Sequence, residues 1–390
     1  MAFKLNDQQH DAVMKCLNWY YLESHKKNMF IVCGLAGSGK STCLRSMIEA
    51  LGLGKNSVLY CAITGKASLV MKMKGHLANT IHRSFYNAKP YKNSVFFTLK
   101  QSIPSNVKLI VIDEFGMVED NMTREILSFG IPVIVLCDNK QLPPVFGKNT
   151  YIDEDEKLDV FLTKVMRTND TTGILQLADL ARNKKDLPVG TIGLSRVLDD
   201  KNKLKSMLDY SKVICWTNRT RRFLNDYIRK EIGITSRYPL KGERIMFLGN
   251  RYDHTIDYIG IEICITNGME CIVMEDYHIE NDKQIRLKVR PIFIDDEDIF
   301  FDVLCNRRVF DSYVEDTPDI KTLMITDKEE ELGSVFCDFC YAVSAHQAQG
   351  SSWYDILVID EMPKHRPEYS RWLYTAITRS ENSVDVLLDQ

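Results

Sequence analysis

Eight consecutive residues, Gly34-Leu35-Ala36-Gly37-Ser38-Gly39-Lys40-Ser41, have the types and spacing of a phosphate-binding loop. Glycines let the backbone approach a polyphosphate so closely that bare N–H groups meet its oxygens. Lys40 is expected to reach the β/γ-phosphates and the Ser41 hydroxyl to hold Mg²⁺. Gly34, Ala36, Gly37, Ser38, Gly39 and Thr42 would complete the cradle. An apolar run, Met29 to Cys33, precedes the loop, and a helix-like run, Thr42 to Leu51, follows it. That strand, loop, helix order makes a nucleoside triphosphate with Mg²⁺ the expected ligand pair.

Two more apolar runs end in polar groups of the right kind. Leu109 to Ile112 leads into Asp113-Glu114, where Asp113 would hold the metal and Glu114 would polarise an attacking water. Val133 to Cys137 delivers Asp138-Asn139-Lys140-Gln141-Leu142-Pro143-Pro144. Gln141 can accept from that water or donate to the γ-phosphate, which would make it a sensor of hydrolysis. Parallel strands would bring all these groups to one sheet edge, where open α/β folds bind ligands.

Taken together, these segments resemble the superfamily 1 helicases, and within them the 5′-to-3′ branch that contains the phage Dda helicase and the RecD-like proteins. Leu5 to Val13 is similar to the family's amino-terminal glutamine motif, which implies that Gln9 reads the adenine edge. Ala62 to Ala67 and Thr80-Ile81-His82 resemble two strand-contacting motifs. Val165-Met166-Arg167-Thr168 resembles the segment that supplies a first catalytic arginine. Ser344 to Ser351 resembles the motif coupling nucleotide to strand, and Leu373 to Arg379 the one carrying a second arginine. The resemblance implies Arg167 and Arg379 as arginine fingers and Gly350 as a nucleotide contact. It also implies single-strand contacts from Thr64, Thr80 and His82 in one block and Asn218, Ser344 and His346 in the other. Gly116, Gln347 and Cys137 depart from the family pattern: Gly116 lacks a common Ser hydroxyl, Gln347 replaces a usual Lys, and Cys137 replaces a common Gly.

The implied architecture is α/β, with two RecA-like P-loop NTPase domains. Residues 1–83 and 106–170 would form the first, interrupted over 84–105 by a small hairpin that acts as a pin at the fork, with Phe96 or Phe97 as its exposed ring. Residues 171–235 and 333–390 would form the second, interrupted over 236–332 by a β-rich, SH3-like barrel. Phe336 to Ser344 reads as one strand of the second domain, and Arg219 to Ile232 as a helix.

Composition is compatible with this reading. The 390 residues suffice for several cores. The formal charge of −3 argues against a broad basic surface, leaving backbone amides, hydroxyls and a few cations to hold a strand; the local clusters Lys66, Lys72 and Lys74, Arg219, Arg221 and Arg222, and Arg229 and Lys230 read first as solvated helix faces and second as strand contacts. Eleven scattered cysteines, no leader and no membrane-length apolar run lead to the expectation of a reducing, cytoplasmic location, that of the host if the chain is phage-encoded. Cys337 and Cys340 read as a buried pair rather than a zinc or redox motif. Expected partners are single-stranded and fork DNA, with a single-strand-binding or replication protein as a further one. A clamp or translocase that does not unwind, an RNA helicase and a P-loop kinase are the competing readings.

Overall fold

The computed structural model describes residues 5–73, 75–91, 94–144, 147–164, 172–204, 206–313 and 334–388, apart from the side chains of 66, 70, 88–91, 94–96 and 155. Arg167 and its neighbours 165–168 lie outside these residues.

The first sheet draws on β1 (Met29–Gly34), β2 (Val58–Ala62), β3 (Ala78–Thr80), β6 (Leu109–Asp113), β7 (Val133–Cys137) and β8 (Val160–Leu162); β4 (Tyr86–Tyr91) and β5 (Ser94–Leu99) pair separately as an antiparallel hairpin. The sheet order is β3-β2-β6-β7-β1-β8, and every pairing is parallel. β1, β2 and β7 are buried at every position, which is why they read as unbroken apolar runs rather than alternating ones. One face packs Phe30, Val32, Val111 and Leu136 against Ala12, Cys16, Met47 and Leu51 of two helices, Asp7–Asn18 and Lys40–Leu51.

A second sheet contains β9 (Gly190–Ile192), β10 (Ser195–Leu198) and β11 (Lys212–Cys215), followed in the chain by an interruption of β12 (Arg244–Phe247), β13 (Arg251–Tyr258), β14 (Ile261–Ile265), β15 (Glu270–Val273), β16 (His278–Ile279), β17 (Gln284–Pro291), β18 (Phe301–Asn306) and β19 (Cys337–Phe339). The second sheet then resumes with β20 (Ala342–Ser344), β21 (Trp353–Asp360) and β22 (Ser380–Leu388). Its order is β20-β11-β21-β22-β10-β9, parallel except at the β9 edge. The interrupting segment forms its own antiparallel sheet, β16-β17-β15-β12-β19 with β18 on β17, around a separate apolar core. β13 and β14 project from it as a hairpin.

The run from Phe336 to Ser344 is therefore two strands rather than the single one expected. Cys337–Phe339 pairs with β12, and after Cys340-Tyr341 the chain crosses to pair Ala342–Ser344 with β11. Three ion pairs, each buried at both ends, join the insertion to the second sheet and its helix Asn218–Glu231: Lys212–Glu270 at 2.8 Å, Arg221–Asp338 at 2.8 Å and Arg229–Glu243 at 2.7 Å. Arg221 and Arg229 are thus buried structural cations, neither part of a solvated helix face nor members of a strand-facing cluster. Removing one partner from such a pair costs about 3–5 kcal/mol, because the other charge is left buried and uncompensated.

Candidate active site and nucleic-acid interface

Backbone geometry sets the phosphate loop. Gly37 and Gly39 have φ of 76° and 78°, the left-handed region that glycine enters without a Cβ clash. Gly39 then caps the helix beginning at Lys40, whose first amides face the loop. Lys40 Nζ donates to the carbonyls of Gly34 and Leu35, at 2.7 and 3.2 Å. Gln9 is buried and donates from Nε2 to the Ser38 carbonyl at 3.3 Å, which fixes the glutamine segment against the loop. The Ser38 hydroxyl and Gln141 Oε1 are both buried without a hydrogen-bond partner among the described residues. Orphaned polar atoms at this place fit a polar ligand that completes them.

Asp113 closes β6, and Ser41 and Asp113 line one cavity of about 430 Å³. Asp113 Oδ1 accepts from the Glu114 N–H at 2.9 Å. Glu114 itself has φ of 51°, a left-handed conformation in a non-glycine residue that stores about 1–3 kcal/mol of strain. That turn carries the glutamate off the end of the strand. The donor set of a hydroxyl and a carboxylate is one that Mg²⁺ takes.

Groups from the second sheet reach this edge. Tyr374, on the helix Tyr369–Ile377, accepts at its hydroxyl from the Ala36 N–H (3.0 Å) and donates to Asp138 Oδ2 (2.7 Å). Its neighbour Thr375 accepts from the Leu142 N–H at 3.0 Å, and Gln349 Nε2 donates to the Leu142 carbonyl at 3.1 Å. Gln141 Nε2 donates to the same Asp138 Oδ2 at 3.3 Å. Tyr374, Thr375 and Gln349 lay within quoted motifs, but nothing in their spacing indicated that they would cross the cleft.

Arg379 does not reach in as expected. Its guanidinium is turned back on its own block, donating to the Thr375 and Ser351 carbonyls at 3.1 and 3.3 Å and to Thr378 Oγ1 at 3.2 Å. A cation at a helix C-terminus finds unpaired carbonyls there, which accounts for the pose.

Of the residues expected on the strand, Thr64 caps a turn by accepting from the Ala67 N–H, and a Cβ on Gly350 would lie 3.7 Å from its hydroxyl. Gly350 therefore sits against Thr64 across the two blocks. Thr80 caps the helix Ile81–Phe85 and is buried beside Tyr252 of the β13–β14 hairpin. Gln347 and Ser344 form a capping box, so the Ser344 hydroxyl is engaged by its own helix. Asn218 is exposed at the start of its helix. Burial pushes the imidazoles of His82 and His346 below the usual histidine range. Phe97 is 48% exposed, with its ring 4.8 Å from that of His82; Phe96 stands opposite Lys89 in the hairpin, and its side chain lies outside the described residues. Cys337 and Cys340 are buried, with Cys337 Sγ 3.4 Å from Cys305 Sγ.

Comparison with known proteins bears on the same two blocks. A family model described as an AAA domain matches residues 4–194, and one described as a UvrD-like helicase C-terminal domain matches residues 339–387. The ATP-dependent DNA helicase dda of Enterobacteria phage T4 is 30% identical over 250 residues, covering 57% of this chain and 56% of its own length. The ATP-dependent RecD2 DNA helicase of Deinococcus radiodurans is 30% identical over 125 residues, 30% of this chain and 16% of its own length. In both blocks this chain is similar to superfamily 1 helicases. It spans about half the length of the first curated relatives it matches. Its fold is that of Pif1 helicases: a structure of two coordinating Pif1 helicases at forked double-stranded DNA aligns with a TM-score of 0.58 at 17% identity, covering 100% of this chain and 92% of that one. The Bacteroides Pif1 helicase with ADP-AlF3 and single-stranded DNA gives 0.53 at 19% identity, covering 100% and 93%. Among the described residues, no helix is long and apolar enough to cross a membrane.

Proposed function

We propose that this chain is an ATP-dependent DNA helicase that moves 5′ to 3′ along single-stranded DNA and couples hydrolysis to strand separation at a fork. The observation that carries the reading is the bridged cleft: a phosphate loop on the first sheet faces the helix that leads into Arg379 on the second, joined through Tyr374–Ala36 and Thr375–Leu142. Dda and RecD2, which resemble this chain in sequence, bear the name ATP-dependent DNA helicase, and Pif1 has been solved with single-stranded and forked DNA.

In this reading, ATP lies along the loop with its base near Gln9 and its phosphates on the amides of Ala36 to Ser41 and on Lys40. Ser41 and Asp113 would hold Mg²⁺, which would supply charge neutralisation on the phosphates. Glu114 takes a proton from the attacking water while Gln141 orients it. Closure of the cleft swings Arg379 off its carbonyls and onto the transferring phosphoryl group, where Arg167 also acts; such arginines are worth about 10³ to 10⁵ in rate. Thr64 and His82 grip the strand on one block and Asn218 and His346 on the other, with buried Thr80 and Ser344 capping the short helices that carry the two histidines; contacts mostly to phosphates leave little sequence preference. Alternating closure and opening then advances the chain along the strand. The β-rich insertion corresponds to an SH3-like barrel, and its antiparallel sheet with a core of its own supports that assignment.

The test is ATP turnover with and without single-stranded DNA, followed by unwinding of forks carrying only a 5′ or only a 3′ tail. Strong stimulation by DNA with unwinding from the 5′ tail alone is the expected result. Stimulation without unwinding would make the protein a translocase or clamp, stimulation by RNA alone an RNA helicase, and turnover indifferent to polynucleotide would return it to the P-loop kinases.

A further inference from the structure

We propose that Tyr374 is a positioning residue that indexes the helix leading into Arg379 to the state of the phosphate loop, using one hydroxyl shared between the Ala36 amide and the Asp138 carboxylate. The inference rests on the ATPase reading above and adds a residue to it.

The geometry is specific to the hydroxyl. Tyr374 is 2% exposed, packed in the core beneath the second sheet, so its ring has little freedom to swing. Its oxygen spends both capacities across the cleft, accepting from Ala36 N–H and donating to Asp138 Oδ2. Burial and the adjacent Asp138 carboxylate push its ionisation well above the ordinary tyrosine range, so the donor proton stays in place at neutral pH. Asp138 in turn holds Gln141: Oδ2 accepts from Gln141 Nε2, Oδ1 accepts from the Lys140 N–H, and the Gln141 N–H reaches the Asp138 carbonyl at 3.2 Å. A single hydroxyl thus touches both the loop that cradles phosphate and the carboxylate that orients the expected sensor of hydrolysis.

Loop amides are the groups a polyphosphate recruits. When a phosphate oxygen takes the Ala36 N–H, the Tyr374 hydroxyl loses its donor but keeps its acceptor, Asp138. The helix Tyr369–Ile377 is then released from the loop on one side only, and Arg379, two residues beyond that helix, moves with it. Thr375, bonded to the Leu142 N–H, supplies the pivot next door.

The experiment compares wild type, Tyr374→Phe, Asp138→Asn and the double variant. Binding of a fluorescent N-methylanthraniloyl ATP analogue is titrated in the absence of DNA, and kcat and KM for ATP are measured with single-stranded DNA. Phe keeps the ring, and the melting temperature checks that the fold is kept. The expected result is an analogue affinity that is unchanged or a few-fold tighter, since the amide no longer has a competitor, with kcat lowered about tenfold. The double variant should be no worse than the poorer single one. Weakened analogue binding with kcat intact, an unaltered kcat, or losses that multiply in the double variant would each overturn the proposal. If wild type shows no DNA-stimulated turnover, the functional reading fails, while the DNA-free binding comparison still tests the competition at Ala36.

Discussion

The hydroxyls of Thr80 and Tyr252 lie 3.4 Å apart, joining the end of β3 in the first sheet to the β13–β14 hairpin of the insertion. Arg83 adds to the junction, with its guanidinium 5.6 Å from the centre of the Tyr252 ring and a hydrogen bond to Cys264 Sγ at 3.6 Å. Because buried ion pairs hold the insertion to the second sheet, this hairpin touches one block while being carried by the other. Tyr252→Ala is expected to loosen that junction and speed dissociation from single-stranded DNA about three- to tenfold, leaving nucleotide affinity as it was. Stopped-flow release of labelled oligonucleotide checks it; an unchanged off-rate would separate the hairpin from strand retention.

Lys40→Ala and Glu114→Gln should each lower turnover at least about 100-fold, but for different reasons, since one removes a phosphate contact and the other a base. Nucleotide binding distinguishes them: Glu114→Gln retains ATP and Mg²⁺, whereas Lys40→Ala loses affinity. Near-normal hydrolysis in either variant would remove that residue from the site.

Arg379→Ala should cost about a thousandfold in DNA-stimulated turnover with a much smaller change in nucleotide affinity, because its role belongs to the closed transition state. Steady-state kinetics beside a fluorescent-nucleotide titration provide the comparison. A loss confined to affinity would make it a ground-state contact.

Phe97, exposed on the hairpin, is expected to be the pin. Base stacking is worth about 1–3 kcal/mol per base, comparable to the opening of one pair step, so Phe97→Ala should slow unwinding severalfold while single-strand-stimulated hydrolysis is preserved. Parallel loss of both activities, or a lowered melting temperature, would assign the ring to the packing of His82 and Tyr86.

Stability should fall in mild acid. His82 and His346 titrate below their ordinary value of 6.5 because burial disfavours the charged ring. The unfolded chain therefore binds more protons as pH drops through 6.5, and the stability these neutral rings contribute above that pH is lost as it falls through their folded-state values. Urea midpoints at pH 7.5 and 5.5 should differ less in the His82→Gln/His346→Gln variant than in wild type; an identical difference would trace the effect to other groups.

Much of the site was legible because its chemistry is local in sequence. The loop's glycines specify their own backbone, and Asp113, Glu114 and Gln141 follow apolar runs whose length marks buried parallel strands. The β4–β5 hairpin was signalled by its polar turn. What escaped was long-range: no periodicity tells whether Cys337–Phe339 pairs with β12 or with β11, because both partners accept the same apolar pattern. Arg221 and Arg229 read as surface cations until their carboxylates, far along the chain, were seen beside them. Tyr374 was visible as a residue, but its reach to Ala36 depends on how two sheets face each other.

The crossing at Cys340-Tyr341 also sets the length of chain that must close for β11 to meet β20. β11 and β20 are neighbours in one sheet yet lie about 130 residues apart, and closing a loop that long is slow. Ile245 pairs with Phe339, so an insertion that folds first ties off its own ends and leaves a closure of only about 35 residues, about 1 kcal/mol cheaper in chain entropy. Once folded, the interrupting unit is a clip that brings β11 and β20 within reach.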